Sequence, residues 1–420
     1  MLSHVGQRFE DAYRTTPEPL IVSMLLLAGF AFEPDKTAAA ATIRCALNMW
    51  CENGLGFVEA ADGGRLFDPV EVICRLKLAA RDRRDTFLAQ YFAPTGRRLV
   101  QQLAARAPAQ IRLDFSRHYH LRSHAEGDRV RLRVPLPLHD YHGPSVKVAA
   151  RRSGAQGDLT VSDGRLELRG FAHGPGVVEL GHRVTFKPSS GSGAAGTPAD
   201  YLKPSEGLIH ISDRVRALAD LLAGPGGRPE AAVRAFWNFM LDELMCGPIH
   251  YDQVSSTTPC DWVLDSGWYD CQIGSALLIA LCRARGIPAR LVGGHVLYPA
   301  APTNHYWAEV WFDHDGWLPM DLLCWDLSCG GADPDWRETF YGRIDPRMVT
   351  QCFPRQFTGA LGVALPPVWH IIQSGATSRV EAASGVEIRL NDIAGDPVFV
   401  DSVAVLEGGD PPPAVARLRW

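Results

Sequence analysis

The sequence predicts an α+β protein: a helical N-terminal region, a β-sandwich, and a core in which helices pack on an antiparallel sheet. Three observations predict it. Residues before about 108 are rich in Ala, Leu and Arg with few β-branched runs. From about 110, short alternating segments are divided by Gly, Asp and His turns at sandwich-like spacing. Beyond a Gly/Ser/Pro-rich stretch, helical patterns lead to a helix opening at Cys271, and strands follow it.

Taken in order, residues 1–108 form a helical accessory region, with helices expected over Thr37–Cys51 and Pro69–Arg84 and an Asp-Gly-Gly turn at 62–64 between them. A β-sandwich domain is expected over 109–190, from the alternating runs Ile111–Leu121, Arg129–Leu138, Ser145–Ala150, Asp158–Val161, Arg165–Arg169 and Val177–Phe186. A linker at 191–200 belongs to the stretch KPSSGSGAAGTPAD that begins at Lys187. The core spans 201–374. It starts with helices at Ser212–Ala223 and Pro229–Leu244, the second with proline in its first turn. The helix from Cys271 stops at Gly286-Ile287-Pro288, and strands are expected at Ala289–Tyr298, His305–Phe312 and Trp317–Asp321. A β extension occupies 375–420.

Composition narrows the function classes. With 46% hydrophobic and 21% charged residues and a net charge of −5, the 420-residue chain gives no electrostatic reason to expect nucleic acid or an anionic membrane as partner. The longest apolar run, Leu20–Phe32, is too short to span a bilayer, and the first residues lack the pattern of a secretory signal. Ten cysteines are scattered without a CxxC pair, which suits reduced thiols and a cytoplasmic location. His118, His120 and His124 have a metal-like spacing but no acidic ligand beside them, and read as a solvated strand face. Asp313 and Asp315 read as a hairpin turn, not a calcium loop.

One set of residues carries chemistry. Cys271 sits where a loop turns into a helix, and a helix start favours a thiolate, as does a neighbouring imidazolium. On the following strand His305, Trp307, Glu309 and Trp311 share one face, opposite Tyr306, Ala308, Val310 and Phe312. A turn at 313–316 brings Asp321 back toward His305. A thiol, an imidazole and a carboxylate so ordered are the parts of a thiol acyl-transfer site.

The segments DCQIGSALLIALCRARGIPAR, NHYWAEVWF, GWLPMD and FYGRIDPRMV resemble the transglutaminase-like superfamily, from about Tyr201 to Gly359, and the preceding β region resembles its N-terminal sandwich. The resemblance implies a papain-like core with Cys271 as nucleophile, His305 as general base and Asp321 as the acid that orients it. It further implies oxyanion donors at the Cys271 backbone N–H and at Tyr251, with Trp237 a weaker candidate. Where the family usually has glycine just before the cysteine, this chain has Trp268-Tyr269-Asp270. Trp268, Tyr269 and Trp307 are therefore expected to line the acyl pocket. The implied reaction is amide-bond formation through an acyl-thioester enzyme. Its donor is a peptide, an amide or a carrier-protein thioester, as in natural-product assembly, its acceptor is an amine, and no cofactor takes part. The alternatives are a protease or amidase using the same triad with water, and a non-catalytic interaction module.

Overall fold

The computed structural model describes residues 13–29, 35–81, 109–121, 125–143, 146–162, 164–188, 197–250, 253–255, 257–297, 303–323, 335–343, 347–352, 388–390, 393–394 and 399–406. Two compact units emerge. The first comprises residues 1–104 with 247–249 and 323–337; the second holds the remainder.

In the first unit, helices α1 (Glu18–Gly29), α2 (Lys36–Glu52) and α3 (Pro69–Arg81) follow one another. Asp35 caps α2 by accepting the Ala38 N–H at 2.9 Å. Its Ala39, Ile43, Ala46, Leu47 and Trp50 form the buried stripe. The region expected to be helical also carries a small antiparallel sheet, in which Arg65–Phe67 pairs with both Val58–Glu59 and Thr16–Pro17. The Asp-Gly-Gly turn makes this hairpin. Gly63 takes φ 80°, which a side chain would resist, and Asp62 accepts the Gly64 N–H at 2.9 Å.

The second unit opens with six antiparallel strands, β1 (Ile111–Leu121), β2 (Arg129–Pro135), β3 (Lys147–Ser153), β4 (Ala155–Ser162), β5 (Arg165–Ala172) and β6 (Gly176–Phe186). Alternate residues such as Leu113, Phe115, Leu132, Leu166, Leu168, Leu180 and Val184 point inward and fill the space between two sheets. Helices α4 (Asp213–Ala223), α5 (Pro229–Glu243), α6 (Pro259–Ser266) and α7 (Cys271–Ala284) come next. Strands β7 (Ala289–Val296), β8 (Thr303–Phe312), β9 (Gly316–Met320) and β10 (Arg347–Cys352) form one antiparallel sheet in the order β9-β8-β7-β10. Helix α7 is buried from Gln272 to Arg283 and packs on β8, β7 and the three preceding helices.

The C-terminal strands β11 (Ile388–Leu390), β12 (Ile393–Ala394) and β13 (Phe399–Val405) join the sandwich. Its sheets run β12-β11-β2-β5-β4 and β13-β1-β6-β3. Sandwich and helical core share packing, since Leu297 and Met348 belong to the sandwich's apolar cluster. The fold class read from the sequence is the one observed: mixed α and β, with a cysteine-bearing helix on an antiparallel sheet.

Candidate active site

The site forms where the first turn of α7 meets the sheet. Asp270 is the N-cap of α7, and its carboxylate accepts the N–H groups of Gln272 and Ile273, both at 2.9 Å. Cys271 is therefore the first helical residue, as its place in the sequence implied. Gly274, one turn in, has no room for a side chain: a Cβ there would lie 2.2 Å from the Tyr269 ring. Tyr269 thus lies flat against the turn that presents the thiol, and its hydroxyl donates to the Met240 carbonyl at 3.4 Å.

β8 supplies the histidine. The β8–β9 hairpin pairs Trp311 with Trp317 and Ala308 with Met320, so Asp321, one residue beyond, reaches the His305 end. His305 Nε2 lies 2.9 Å from Asp321 Oδ1. Both residues are buried, as is Arg347 from β10, whose Nη2 donates to Asp321 Oδ2 at 2.5 Å. Burial alone would push the Asp321 carboxyl up. The charges and hydrogen bonds of His305 and Arg347 prevail and hold it well below the usual carboxylate range. An ionised carboxylate accepts, so Nε2 of His305 carries the proton and Nδ1 is left as the basic nitrogen.

The thiol lies beside this pair. The backbone N–H of Tyr306, the residue after His305, donates toward it, and the Asp321 charge acts on it. Its acidity runs against the sequence expectation. Burial, then the Asp270 carboxylate, pushes the Cys271 thiol well up, and the N–H groups of Tyr306 and of Cys271 itself offset only part of this. The helix start is present, but its capping carboxylate sets a negative charge next to the sulfur. A thiolate here has to await a base.

Other expected residues fall differently. Trp268 is half-buried, whereas Tyr269 and Trp307 are each 1% exposed. Trp307 packs with Leu138, Tyr141, Val292, Val349 and Cys352, a consequence of its inward place on β8, and does not line an open pocket. Trp237 is fully buried with its ring against Tyr341. Tyr251, His124, Trp325 and the linker stretch 189–196 lie outside the described residues. His118 is partly exposed, 4.0 Å from Glu179. Among the described residues no group of three or more His, Cys, Asp or Glu side chains is placed to hold a metal, and no helix is long and apolar enough to cross a membrane. Arg347 is the residue that sequence reasoning did not single out, although it lies within FYGRIDPRMV, a segment quoted for the resemblance.

Comparison with known proteins finds similarity over part of the chain. Residues 216–322 match the core of the Transglutaminase-like superfamily, a span that holds Cys271, His305 and Asp321. A protein-glutamine gamma-glutamyltransferase of Pseudomonas aeruginosa is 28% identical over 162 residues, 35% of this chain and 24% of that protein. The chain thus spans about a quarter of that relative's length. Among solved structures, a candidate cysteine protease from Cytophaga hutchinsonii aligns with TM-score 0.43 and 15% identity, over 72% of this chain and 92% of the other. The periplasmic domain of TgpA from Pseudomonas aeruginosa aligns with TM-score 0.31 and 20% identity, over 55% and 94%.

Proposed function

From a chain that carries a transglutaminase-like core over residues 216–322, we propose a cysteine acyltransferase that forms amide bonds. The observation that carries the proposal is the thiol at the first residue of α7, which takes the N–H of Tyr306, the residue after a histidine whose imidazole is hydrogen-bonded to the buried Asp321 carboxylate.

In this reading His305 Nδ1 takes the Cys271 proton as sulfur attacks the carbonyl carbon of an amide or thioester. The backbone N–H of Cys271 supports the developing oxyanion. The imidazolium gives its proton to the leaving amine or thiol, and a thioester forms on Cys271. Asp321 stabilises the charged imidazole, as a carboxylate held ionised well below the usual range supports. An acceptor amine, deprotonated by the same imidazole, then attacks the thioester; the C–S bond breaks, the imidazolium returns the proton to the Cys271 sulfur, and the new amide leaves.

A protein-glutamine gamma-glutamyltransferase among the relatives favours an amine over water as acceptor and a glutamine carboxamide as one donor to try first. Carrier-bound thioesters belong to the same chemistry and are the second. The incomplete burial of residues Cys271 and Trp268 favours a second reading, hydrolysis, in which water takes the place of the amine.

Incubation with glutamine-containing peptides and with acyl-pantetheine thioesters, followed by mass spectrometry, tests this. The expected result is an acyl mass on Cys271 whose decay is accelerated by added amines. Decay indifferent to amines would transfer the assignment to a hydrolase, and acylation that persists in Cys271→Ala would defeat both readings.

A further inference from the structure

Arg347 opens β10, outside the residues that match the superfamily core. Its guanidinium is buried, with Cζ 4.6 Å from the Trp307 ring centroid. Nε and Nη1 find no hydrogen-bond partner among the described residues, and Nη2 donates to Asp321 Oδ2. A buried guanidinium is costly without a counter-charge, so Arg347 depends on Asp321.

His305 and Arg347 hold different oxygens of the carboxylate. Oδ1 faces His305 and Oδ2 faces Arg347. Rotation about the last side-chain bond of an aspartate is soft, and a carboxylate held by histidine alone can turn. Holding Oδ2 removes that freedom. The strand that carries Arg347 is itself anchored: two residues on, the Val349 N–H donates to His142 Nε2 at 2.8 Å, and the Val349 carbonyl accepts the Leu138 N–H at 2.9 Å.

We propose that Arg347 is a positioning residue of the thiol site. It clamps Asp321 so that Oδ1 fixes the Nε2–H tautomer of His305 and leaves Nδ1 to serve Cys271. Its catalytic consequence rests on the acyl-transfer reading above.

Two measurements on the full chain test it. In ¹⁵N-histidine-labelled protein, wild-type His305 shows the Nε2–H tautomer; Arg347→Met gives a mixture of tautomers. Iodoacetamide then alkylates Cys271 about 10- to 100-fold more slowly in Arg347→Met, the size typical of groups that orient a functional side chain. Placed on Asp321→Asn, the same substitution slows alkylation by less than about 3-fold, because the clamp has nothing left to hold. An unchanged tautomer and rate in folded Arg347→Met would overturn the proposal, as would losses that multiply in the double variant. Arg347→Gln is read the same way should the Met variant not fold. Equal alkylation of Cys271 and the other thiols in wild type would defeat the acyl-transfer reading, while the tautomer still decides the role of Arg347.

Discussion

Two buried charged clusters share one face of β8, four residues apart. At His305, Asp321 takes hydrogen bonds from the imidazole and from Arg347. At Glu309, the carboxylate takes hydrogen bonds from Arg290 at 2.8 Å and from the Tyr141 hydroxyl at 3.0 Å. Each has a cysteine in its surroundings: Cys271 in the first, Cys352 in the second. The carboxylates nonetheless respond in opposite directions. Asp321 is held down by its partners, whereas burial outweighs Arg290 and Tyr141 and pushes Glu309 up. Arg290 is further enclosed by the ring of Trp317 at 4.0 Å, and Cys352 is buried. A buried ion pair therefore does not identify a site. What distinguishes the first cluster is an imidazole with one nitrogen committed and one left over, in a cluster whose cysteine opens a helix.

The largest effect separates the two cysteines. Cys271→Ala lowers acyl-transfer turnover by on the order of 10⁴-fold or more, the scale of losing a covalent nucleophile, while Cys352→Ala leaves it within about 2-fold. Turnover that survives Cys271→Ala and collapses in Cys352→Ala would invert the comparison.

The carboxylates come next. In the folded fraction Asp321→Asn reduces turnover by about 10³- to 10⁴-fold, since it disturbs the imidazole's tautomer and charge, and it also destabilises the chain by leaving Arg347 without its counter-charge. Glu309→Gln leaves Arg290 buried without its counter-charge and costs about 3–5 kcal/mol of stability by denaturant unfolding, with the folded fraction as active as wild type. A folded fraction of Asp321→Asn as active as wild type would mean that both clusters are structural.

Two buried histidines of the sandwich, His142 bonded across to β10 of the core sheet, give a pH signature in stability. His142 donates from Nδ1 to the Lys187 carbonyl and accepts the Val349 N–H at Nε2, so both nitrogens are used only in the neutral ring. Burial pushes His142, and likewise His182, down to about 4. A folded value below the ordinary one near 6.5 means that the unfolded chain binds more protons between about pH 4 and 6.5. The stabilisation is complete above about 6.5 and lost as pH falls through about 4, roughly 3 kcal/mol for each histidine. Denaturant midpoints that stay flat from pH 7 to 4.5 in wild type, or that still fall as steeply in His142→Gln, would contradict this.

The smallest effect concerns the cap. Asp270→Asn keeps an N-cap acceptor but removes the charge beside the thiol, so Cys271 becomes more acidic and alkylates about a few-fold faster at pH 7. A slower reaction would show that the charge on Asp270 helps the thiol.

Much of this was legible in the chain because its signals are local. Cys271, His305 and Asp321 are tied to a helix start and a hairpin whose periodicities are written in neighbouring residues. Val58–Phe67 was not read as strands because three-residue strands carry too little alternation, although the turn at 62–64 announced them. Burial explains the pocket residues: Trp307 shares a face with His305, but a strand's face does not disclose whether that face meets solvent or another layer. Arg347 is 26 residues from Asp321 in sequence, and only the β7–β10 pairing brings it to the site. The weak acidity of the thiol is hidden for a similar reason, since one aspartate both caps the helix and opposes the thiolate.

In the proposed reaction everything depends on His305 drawing the proton from Cys271. Isotope-coded iodoacetamide competition, read peptide by peptide at pH 7 in wild type and His305→Gln, tests it most directly. The prediction is that Cys271 reacts faster than the exposed Cys45 in wild type and loses that advantage, by about 10-fold or more, in His305→Gln. A Cys271 rate no greater than that of Cys45, and unaltered by the histidine substitution, would contradict it.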